Sequence, residues 1–579
     1  MPTFRLTPYA TFLENRLFPH TVQYGIFHQL TGVSLAISPE LRSLLEKMQA
    51  GRELVCDDEE LQRRKGTELC ELIDHQLLVP PEHDAFAGFE DYLVVRPKQN
   101  PAVFYRTSTG TITAIRIPLS QRVFSPSRTE TPVIIEEELS EVATKLLLLA
   151  DGSKSFREIR TLLSANLSQE LFPETVNHLV APDRQLIKLA PPGSALDEPF
   201  LPFNTVPRNL MVSKEGEPHR DIQDPKGVLE FHQHQIADAE REFDWIEATV
   251  NHAFRNPSAA FGGLNYGARF CDATLRQEVT QNTASNRPLQ MLEVGGGTGS
   301  FGRSFLDRAE QAHGGIEIIY HLLELSPVLF NKQTDVLGGR LTRERHFLQD
   351  ARQLNLPEHR FDLIIANEVI ADFPVAEVQR LGENSFSGTG AEDTQKYSLP
   401  KSGDPDQFLI NKGVFEFVER AFRHLSPGGT IIMSEYGGVD RFPVRSYHLN
   451  HAEYSIHFGH VLRCAETVGF TAGVFSLKEF LSINDEVEFL DGQEEHILCL
   501  NHALEKFGSS LPYAAISKEE FEVRYERIIV EKGLGGFSFS KLKQDFHFGP
   551  TLGQFMVAVL QKPLECGGKE RSDATPLSL

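Results

Sequence analysis

Cysteine, tryptophan and long apolar runs are scarce in this chain of 579 residues, which has six cysteines and one tryptophan. No two cysteines form a Cys-x-x-Cys pair, so the sequence excludes a zinc knuckle and a disulfide scaffold and favours a reducing compartment. No apolar run approaches the roughly 20 residues of a membrane helix, and residues 1–14 lack the apolar core of a signal peptide. We therefore expect a soluble, cytoplasmic protein without a membrane partner.

Positive charge is scarce as well, since 57 lysines and arginines stand against 80 acids and give a net charge of −23. A nucleic-acid partner is not expected, because phosphate binding needs a concentrated basic face. An acidic surface does tolerate a basic peptide. The length predicts about two to four domains.

The segment MLEVGGGTGSFG at 291–302 predicts a short strand, a glycine turn and a helix that begins near Ser300. A turn without Cβ atoms lets the backbone touch a cofactor, and the amides of the next helix point towards it. Such turns belong to doubly wound α/β folds, which bind ligands at the carboxyl ends of their strands. The candidate cofactor-binding residues here are Glu293, Gly295, Gly297 and Gly299.

Two cofactor families use such a turn. The spacing E-x-G-x-G-x-G over residues 293–299 resembles motif I of class I S-adenosylmethionine (SAM) methyltransferases, whereas residues 297–302 also fit the dinucleotide pattern G-x-G-x-x-G. The next apolar run, 316–326, ends in Glu324, and an acid at that strand tip can accept hydrogen bonds from ribose hydroxyls in either family.

Alternating strands and helices continue to residue 433, which predicts a Rossmann-like parallel sheet with helices on both faces. Residues 347–350 (FLQD) predict a short third strand that ends in Asp350, where many class I methyltransferases place an acid against the adenine amino group. Asn367 and Glu368 follow the apolar fourth strand and should face the active-site crevice. Glu435 stands at the tip of the fifth strand, and residues 553–560 resemble the last strand of the sheet.

Four sequence blocks resemble, in order, those of the MidA-like methyltransferases. They are Tyr320–Gln333, Ala366–Val375, Ile431–Gly438 and Glu453–Phe470. That family includes the mitochondrial complex I assembly factor that dimethylates a protein arginine. The resemblance covers about 292–470, under a third of the chain, and implies a class I methyltransferase fold with SAM as cofactor.

The blocks also depart from the family at acidic positions. The family pattern N-E-x-x-D-A-L-P-V has its acid where this chain has Ala371, and the acid here is Asp372, one place later. Glu435 replaces the Asp of I-D-Y-G, and Gly459 stands where the family has a second acid, although His457 matches its histidine. These departures put an arginine substrate in question.

The candidate catalytic residues follow from the chemistry of methyl transfer. A guanidinium substrate needs carboxylates to hold the cation and accept a proton, which favours Glu368 and Asp372, with Glu435 third. His457 would suit a hydroxyl, amine or carboxylate substrate as a general base. The structural alternatives are that Glu368 caps a helix and that His457 is a core histidine. No metal site is expected, because the histidines near His457 lack acid or thiol partners at ligand spacing.

The N-terminal section has a pattern of two similar units, 1–105 and 106–192. In the second, a helix at 139–149, an Asp-Gly turn, a helix capped by Ser155 with Glu158, and a third helix resemble the PqqD-like, winged-helix fold that binds leader peptides. That resemblance implies peptide uptake at a strand edge. The alternative is a unit that only packs or forms a homodimer. A linker at 193–207, a methyltransferase domain at 208–562 and a disordered tail at 563–579 complete the predicted organisation.

We therefore expect a SAM-dependent methyltransferase acting on a peptide or protein side chain, such as a ribosomally made precursor peptide. Two alternatives stay open: a small-molecule methyltransferase whose front section dimerises, and a non-catalytic assembly factor with a SAM fold. Residues 259–270 are expected to form a loop over the cofactor, and 381–407 a flexible insertion. Further helices are expected at 228–249, 495–507 and 517–530.

Overall fold

The structure is a computed structural model, and it describes part of the chain. The described residues are 3–18, 21–49, 54–55, 66–82, 86, 88–96, 102–117, 133–164, 171–181, 184, 186–193, 206–207, 249–276, 287–314, 316–356, 360–382, 385–399, 405–448, 451–491, 494–511, 515–542 and 552–564. Most of the predicted linker, the helix expected at 228–249 and most of the predicted tail lie outside them.

The strands, in chain order, are β1 (Thr3–Leu6), β2 (Ala10–Phe18), β3 (Thr21–His28), β4 (Ser34–Ile37), β5 (Leu54–Val55), β6 (Leu78–Val79), β7 (Leu93–Val95), β8 (Val103–Arg106), β9 (Ile112–Arg116), β10 (Ile135–Glu138), β11 (Asp151–Ser155), β12 (Lys188–Ala190), β13 (Val206–Pro207), β14 (Leu289–Val294), β15 (Ile318–Glu324), β16 (His346–Leu348), β17 (Phe361–Asn367), β18 (Ala376–Gly382), β19 (Ser385–Ser387), β20 (Gln407–Ile410), β21 (Leu425–Gly438), β22 (Arg445–His448), β23 (His451–Tyr454), β24 (Ile456–His457), β25 (Thr471–Ser476), β26 (Glu488–Asp491), β27 (Ser538–Lys541) and β28 (Phe555–Gln561).

The helices are α1 (Pro39–Gln49), α2 (Gly66–Asp74), α3 (Glu141–Leu149), α4 (Phe156–Ser164), α5 (Leu171–Val180), α6 (Val250–Ala253), α7 (Tyr266–Arg276), α8 (Ser300–Ala312), α9 (Pro327–Leu337), α10 (Ala391–Lys396), α11 (Lys412–His424), α12 (Phe458–Val468), α13 (Leu477–Leu481), α14 (Glu494–Glu505) and α15 (Lys518–Lys532). Among the described residues, none of these helices is long and apolar enough to cross a membrane.

The chain divides into two compact units. The first contains residues 1–223, 491–512 and 519–538, and the second contains 224–490, 513–518 and 539–579. The helices predicted at 495–507 and 517–530 are present as α14 and α15, and almost all of their residues belong to the first unit. The first unit is therefore discontinuous in sequence, whereas the predicted boundary at 207/208 assigns both helices to the methyltransferase domain.

The first unit contains the same order of elements twice. Strand β1 pairs with β5 and β6, and β7 pairs with β11 and β12, all antiparallel. Between these strands lie two antiparallel meanders, β2-β3-β4 and β8-β9-β10, each followed by a helix. The second copy begins with β7, so it starts before the predicted boundary at 105/106, which falls inside β8. The sequence predicted the helices of the second copy but neither meander.

Helix α4 begins as the sequence predicted. The Ser155 amide donates to the Glu158 carboxylate at 2.7 Å, and the Glu158 amide donates to the Ser155 hydroxyl at 3.2 Å. This reciprocal pair satisfies amides that have no partner within the helix. Helix α9 begins with Pro327, after Ser326 as N-cap.

The later helices of the first unit pack on the second meander. Phe507, just after α14, makes an edge contact with Tyr105 at a ring-centre distance of 5.3 Å, and Lys506 pairs with Glu136 of β10 at 2.5 Å. The backbones of Phe104 and Gly535 exchange two hydrogen bonds of 3.0 and 2.9 Å. Residues 506–535 therefore pack on the second meander, although about 370 residues or more separate them from it in the chain.

The second unit is built on a sheet with the order β16-β15-β14-β17-β21-β28-β25. Strands β16, β15, β14, β17 and β21 run parallel to one another, and β28 runs antiparallel to both β21 and β25. This is the Rossmann-like α/β methyltransferase sheet that the sequence predicts, and the predicted last strand is β28. Its central strand β17 is almost fully buried, as its unbroken apolar run requires.

Two local expectations need correction. The segment 259–270 is not an open loop: it forms a short 3₁₀ turn and the start of α7, because Phe261, Tyr266 and Phe270 are buried aromatics that pack together. The insertion predicted as flexible at 381–407 contains, in its described part, β19 and α10, and β18 pairs with both β19 and β20.

Candidate functional site

A cavity of about 310 Å³ lies in the second unit, at the carboxyl ends of β14, β15 and β17. Eight of the eleven predicted site residues line it: Glu293, Gly295, Gly297, Glu324, Asp350, Asn367, Glu368 and Asp372. The other three predicted residues, Gly299, Glu435 and His457, do not line it. The position of the cavity agrees with the rule that parallel α/β sheets bind ligands outside the carboxyl ends of their strands.

The glycine turn forms one side of the cavity. Gly297 has φ +52°, a left-handed conformation that favours glycine, and a Cβ there would have no atom within 4 Å. The cavity wall is therefore bare backbone at this point. Gly299, which also has positive φ, faces Gln333 of α9 instead.

Glu293 lies under the turn and is buried. Burial is the main reason that its pKa rises to about 7, and nearby Glu324 adds to the rise, while a hydrogen bond from the Tyr320 hydroxyl opposes it. A Cβ at Gly302 would collide with both the Tyr320 hydroxyl and the Glu293 carboxylate. The third glycine of the dinucleotide-like pattern therefore leaves room for this buried pair.

Glu324 ends β15 and is held by three donors. One carboxylate oxygen accepts the amides of Leu325 and Ser326 at 2.8 and 2.9 Å. The other accepts the side-chain amide of Gln333 at 2.6 Å. The acid that the sequence placed at the tip of the second strand thus has a fixed orientation beside the cavity.

Asp350 is paired within its own turn. Its carboxylate accepts two hydrogen bonds from the Arg352 guanidinium, at 2.5 and 3.0 Å, and one from the Arg352 backbone amide at 2.9 Å. Arg352 also lines the cavity, so this rim carries an ion pair rather than a lone acid.

Asn367 is a junction at the end of β17. Its side-chain oxygen accepts the hydroxyls of Tyr266 at 2.7 Å and Ser434 at 2.6 Å, and its amide donates to Glu368 at 3.2 Å. Every polar atom of the carboxamide therefore faces a protein group, which fixes the strand end against α7 and β21.

Glu368 has φ +52°, which is uncommon for a residue with a Cβ. In this conformation its carboxylate accepts the amide of Val250 at 2.8 Å and that of Asn251 at 3.3 Å. The side chain therefore stabilises the start of the short helix α6, and it brings Asn251 and His252 to the cavity wall. Glu368 therefore caps a helix, which is the structural alternative given for it above.

Glu435 is buried behind the turn that carries Asp372. It accepts the amides of Tyr436 at 2.8 Å and Ala371 at 3.3 Å. Burial raises its pKa well above the usual range, and the charges of Glu368 and Glu453 raise it further, against the amide of Tyr436. A buried acid at this place supports the turn and does not line the cavity.

His457 is the N-cap of α12. Its Nδ1 accepts the amide of His460 at 3.2 Å, its own amide donates to Asn411, and its ring stacks on His460 at 3.6 Å between centres. The side chain is buried away from the cavity. Among the residues that the structure describes, no group of three or more His, Cys, Asp or Glu side chains could hold a metal ion.

Sequence reasoning missed several residues that line or support the cavity. Asn251 and His252 line it but belong to no motif, and Tyr454 lies in the fourth block but was given no role. Gln333 left a readable signal, because it is a polar residue on the apolar stripe of α9, four residues from both Leu329 and Leu337. A buried amide at such a position predicts a polar partner.

The family comparison covers the part of the chain that carries most of the cavity lining. Residues 273–429, about a quarter of the chain, match the model of a family described as "Putative S-adenosyl-L-methionine-dependent methyltransferase". No curated protein matches the chain. Over the matched residues, which contain the glycine turn, Glu324, Asp350, Asn367, Glu368 and Asp372, the chain is similar to SAM-dependent methyltransferases.

Solved structures with this sheet are distant in sequence. A methyl transferase candidate from Burkholderia thailandensis bound to S-adenosyl-homocysteine is 15% identical, with TM-score 0.32, over 58% of this chain and 92% of the other. Phosphoethanolamine N-methyltransferase 2 from Haemonchus contortus in complex with SAM is 12% identical, with TM-score 0.30, over 58% and 60%. At such values the fold rests on the strand order of the sheet itself.

Proposed function

We propose that this chain is a SAM-dependent methyltransferase that modifies a peptide or protein side chain. The observation that carries the proposal is the cavity bordered by the bare backbone of Gly297 and by Glu324 at the end of the second strand. Together with the match over residues 273–429, this favours SAM over a dinucleotide.

The residues present fit the cofactor. The turn supplies backbone without side chains where a nucleoside would approach, and Glu324 supplies a carboxylate for ribose hydroxyls. Asn251 and His252 of α6 border the same space. When bound, SAM supplies an electrophilic methyl on a sulfonium, so the protein must mainly align the nucleophile and accept its proton.

Asp372 is our candidate for the acid that accepts this proton. Of the four predicted catalytic side chains, only Glu368 and Asp372 line the cavity, and Glu368 is engaged with the amides of α6. A carboxylate acceptor suits a cationic nitrogen substrate better than a neutral alcohol. The geometry therefore favours methylation of an amine or guanidinium over the chemistry proposed for His457.

The peptide substrate is proposed from the first unit. In its second copy, α3, α4 and α5 lie at the three helices on which the PqqD-like resemblance depends, and the net charge of −23 suits a basic peptide. Strands β4 and β10 end their sheets in the order of the described strands. A sheet edge of this kind can pair with an extended chain.

The test uses the full chain, because α14 and α15 belong to the first unit and a truncation at residue 207 would divide that unit. Calorimetry with SAM and S-adenosylhomocysteine comes first, and failure to bind either would remove the enzyme proposal. Incubation with basic peptides, with and without an N-terminal leader, should then give products heavier by one methylene unit. Methylation that is equally fast without the leader would argue against recognition by the first unit.

A further inference from the structure

Gln333 connects the glycine turn to Glu324 at the proposed nucleotide pocket, and the sequence predicted no role for it. Its side chain is fully buried in α9. Its amide nitrogen lies 2.6 Å from Glu324 Oε2 and 2.7 Å from the carbonyl oxygen of Gly297. Since both partners can only accept, the nitrogen must face them and donate one proton to each.

The other end of the carboxamide is held by His346. Its Nε2 lies 2.9 Å from Gln333 Oε1, so this nitrogen must carry a proton and donate it. Burial lowers the pKa of His346 to about 4, and the ring stacks on Phe330 at 3.5 Å between centres. The imidazole is therefore a neutral donor near pH 7, held in one orientation by packing.

These contacts form a chain of donors from β16 through α9 to the glycine turn and β15. Gly299 also faces Gln333: a Cβ there would stand 3.3 Å from the Gln333 Cα. The Gln333 side chain therefore hydrogen-bonds to both the turn and Glu324. It sets the separation between the bare backbone and the carboxylate that the cofactor would touch at once.

We propose that Gln333 is the positioning residue of the cofactor site, and that the neutral donor His346 fixes the side chain's direction. This rests on the proposed function. A carboxylate at position 333 would present only acceptors to Glu324 and to Gly297, and the pair of acids would then take up a proton more readily. Cofactor affinity, which does not depend on pH through Gln333 itself, would become dependent on pH through the new acid.

The experiment measures the Kd for S-adenosylhomocysteine by calorimetry from about pH 5.5 to 8.5, always as a ratio to the wild type at the same pH. Gln333→Glu is expected to weaken binding at least about tenfold at the high end, and the ratio should shrink at least about threefold at the low end as the acid pair is protonated. Gln333→Met, which fills the space without donors, should weaken binding by a ratio that stays constant across this range.

Asn331→Asp is the matched control, because it adds a carboxylate to the exposed side of the same helix. It should leave the ratio near one at every pH. Equal, pH-independent losses in Gln333→Glu and Gln333→Met would reduce Gln333 to a packing role, and unchanged affinity in both would overturn the proposal. Should Gln333→Glu not fold, unchanged affinity in Gln333→Met still overturns it, and a loss supports it. Absence of binding by the wild type overturns the proposed function, and this inference with it.

Discussion

The two sides of the cavity differ in how directly they follow from the sequence. On the turn side, Glu293, Gly297 and Glu324 lie where a contiguous motif and the next strand end place them. On the opposite side, after β17, Glu368 lines the cavity but accepts backbone amides, whereas Glu435 and His457 do not line it and stabilise a turn and a helix start. The glycine turn is local structure, whereas the side after β17 brings together elements that lie far apart in the chain. There, two of the three predicted acids, Glu368 and Glu435, accept backbone amides, and Asp372 is left as the candidate proton acceptor.

The largest effect is expected at Asp372, on the side of the cavity that follows β17. Asp372→Asn removes the proton acceptor but keeps the shape, so kcat should fall about 100-fold or more while S-adenosylhomocysteine binding changes little. Steady-state kinetics with a methylated peptide product would measure it. Asp335→Asn, on the exposed side of α9, serves as control. If kcat were unchanged, the proton would have to go elsewhere, and Glu368 would be the next candidate.

Removal of Glu324 on the turn side should be nearly as costly for binding. Glu324→Ala leaves the amides of Leu325 and Ser326 and the Gln333 side chain without their acceptor and removes the proposed ribose contact. We expect about 30- to 100-fold weaker binding of S-adenosylhomocysteine by calorimetry, equivalent to about 2–3 kcal/mol. Unchanged affinity would mean that β15 does not border the cofactor.

A pH experiment sharpens the comparison beneath the turn. The pKa of Glu293 is about 7 in the folded chain, above its value in an unfolded chain, so the folded state binds the extra proton and loses stability as pH rises through 7. Glu293→Gln removes this loss, because the amide oxygen can still accept from Tyr320. The variant should gain about 2–3 kcal/mol relative to the wild type at about pH 8.5, and the gain should vanish below about pH 4.5.

Denaturant unfolding of both proteins at several pH values would measure that difference. Histidines that titrate in both proteins, such as His321 with a pKa near 4, cancel in the comparison. A gain that does not depend on pH would point to packing and not to the proton of Glu293.

The smallest effect is expected at His457. His457→Asn keeps a side-chain oxygen that can accept the amide of His460, so methyl transfer should stay within about twofold and stability within about 0.5 kcal/mol. His457→Ala should cost about 1 kcal/mol in unfolding free energy and still leave kcat near that of the wild type. A large loss of kcat in the Asn variant would return His457 to the list of proton acceptors.

The sequence predicted the parts of the fold that local pattern determines. Strand β17 has an unbroken apolar run, α4 has a capping box, and the glycine turn lies between a strand and a helix. The meanders escaped because strands such as β4 and β8 have four residues each and lack strong alternation. The partners of Glu368 could not be read, because Val250 lies 118 residues earlier in the chain.

The discontinuous first unit has a consequence for how the protein is made. Helices α14 and α15 contribute to it, as does Gly535, whose backbone pairs with Phe104. A ribosome must therefore synthesise every strand of the second unit's sheet except β28 before the second meander, β8-β9-β10, can acquire these neighbours. Until then the second meander lacks the Gly535 backbone pairing and the contacts of Lys506 and Phe507, so the first unit can be completed only after most of the second unit has been translated.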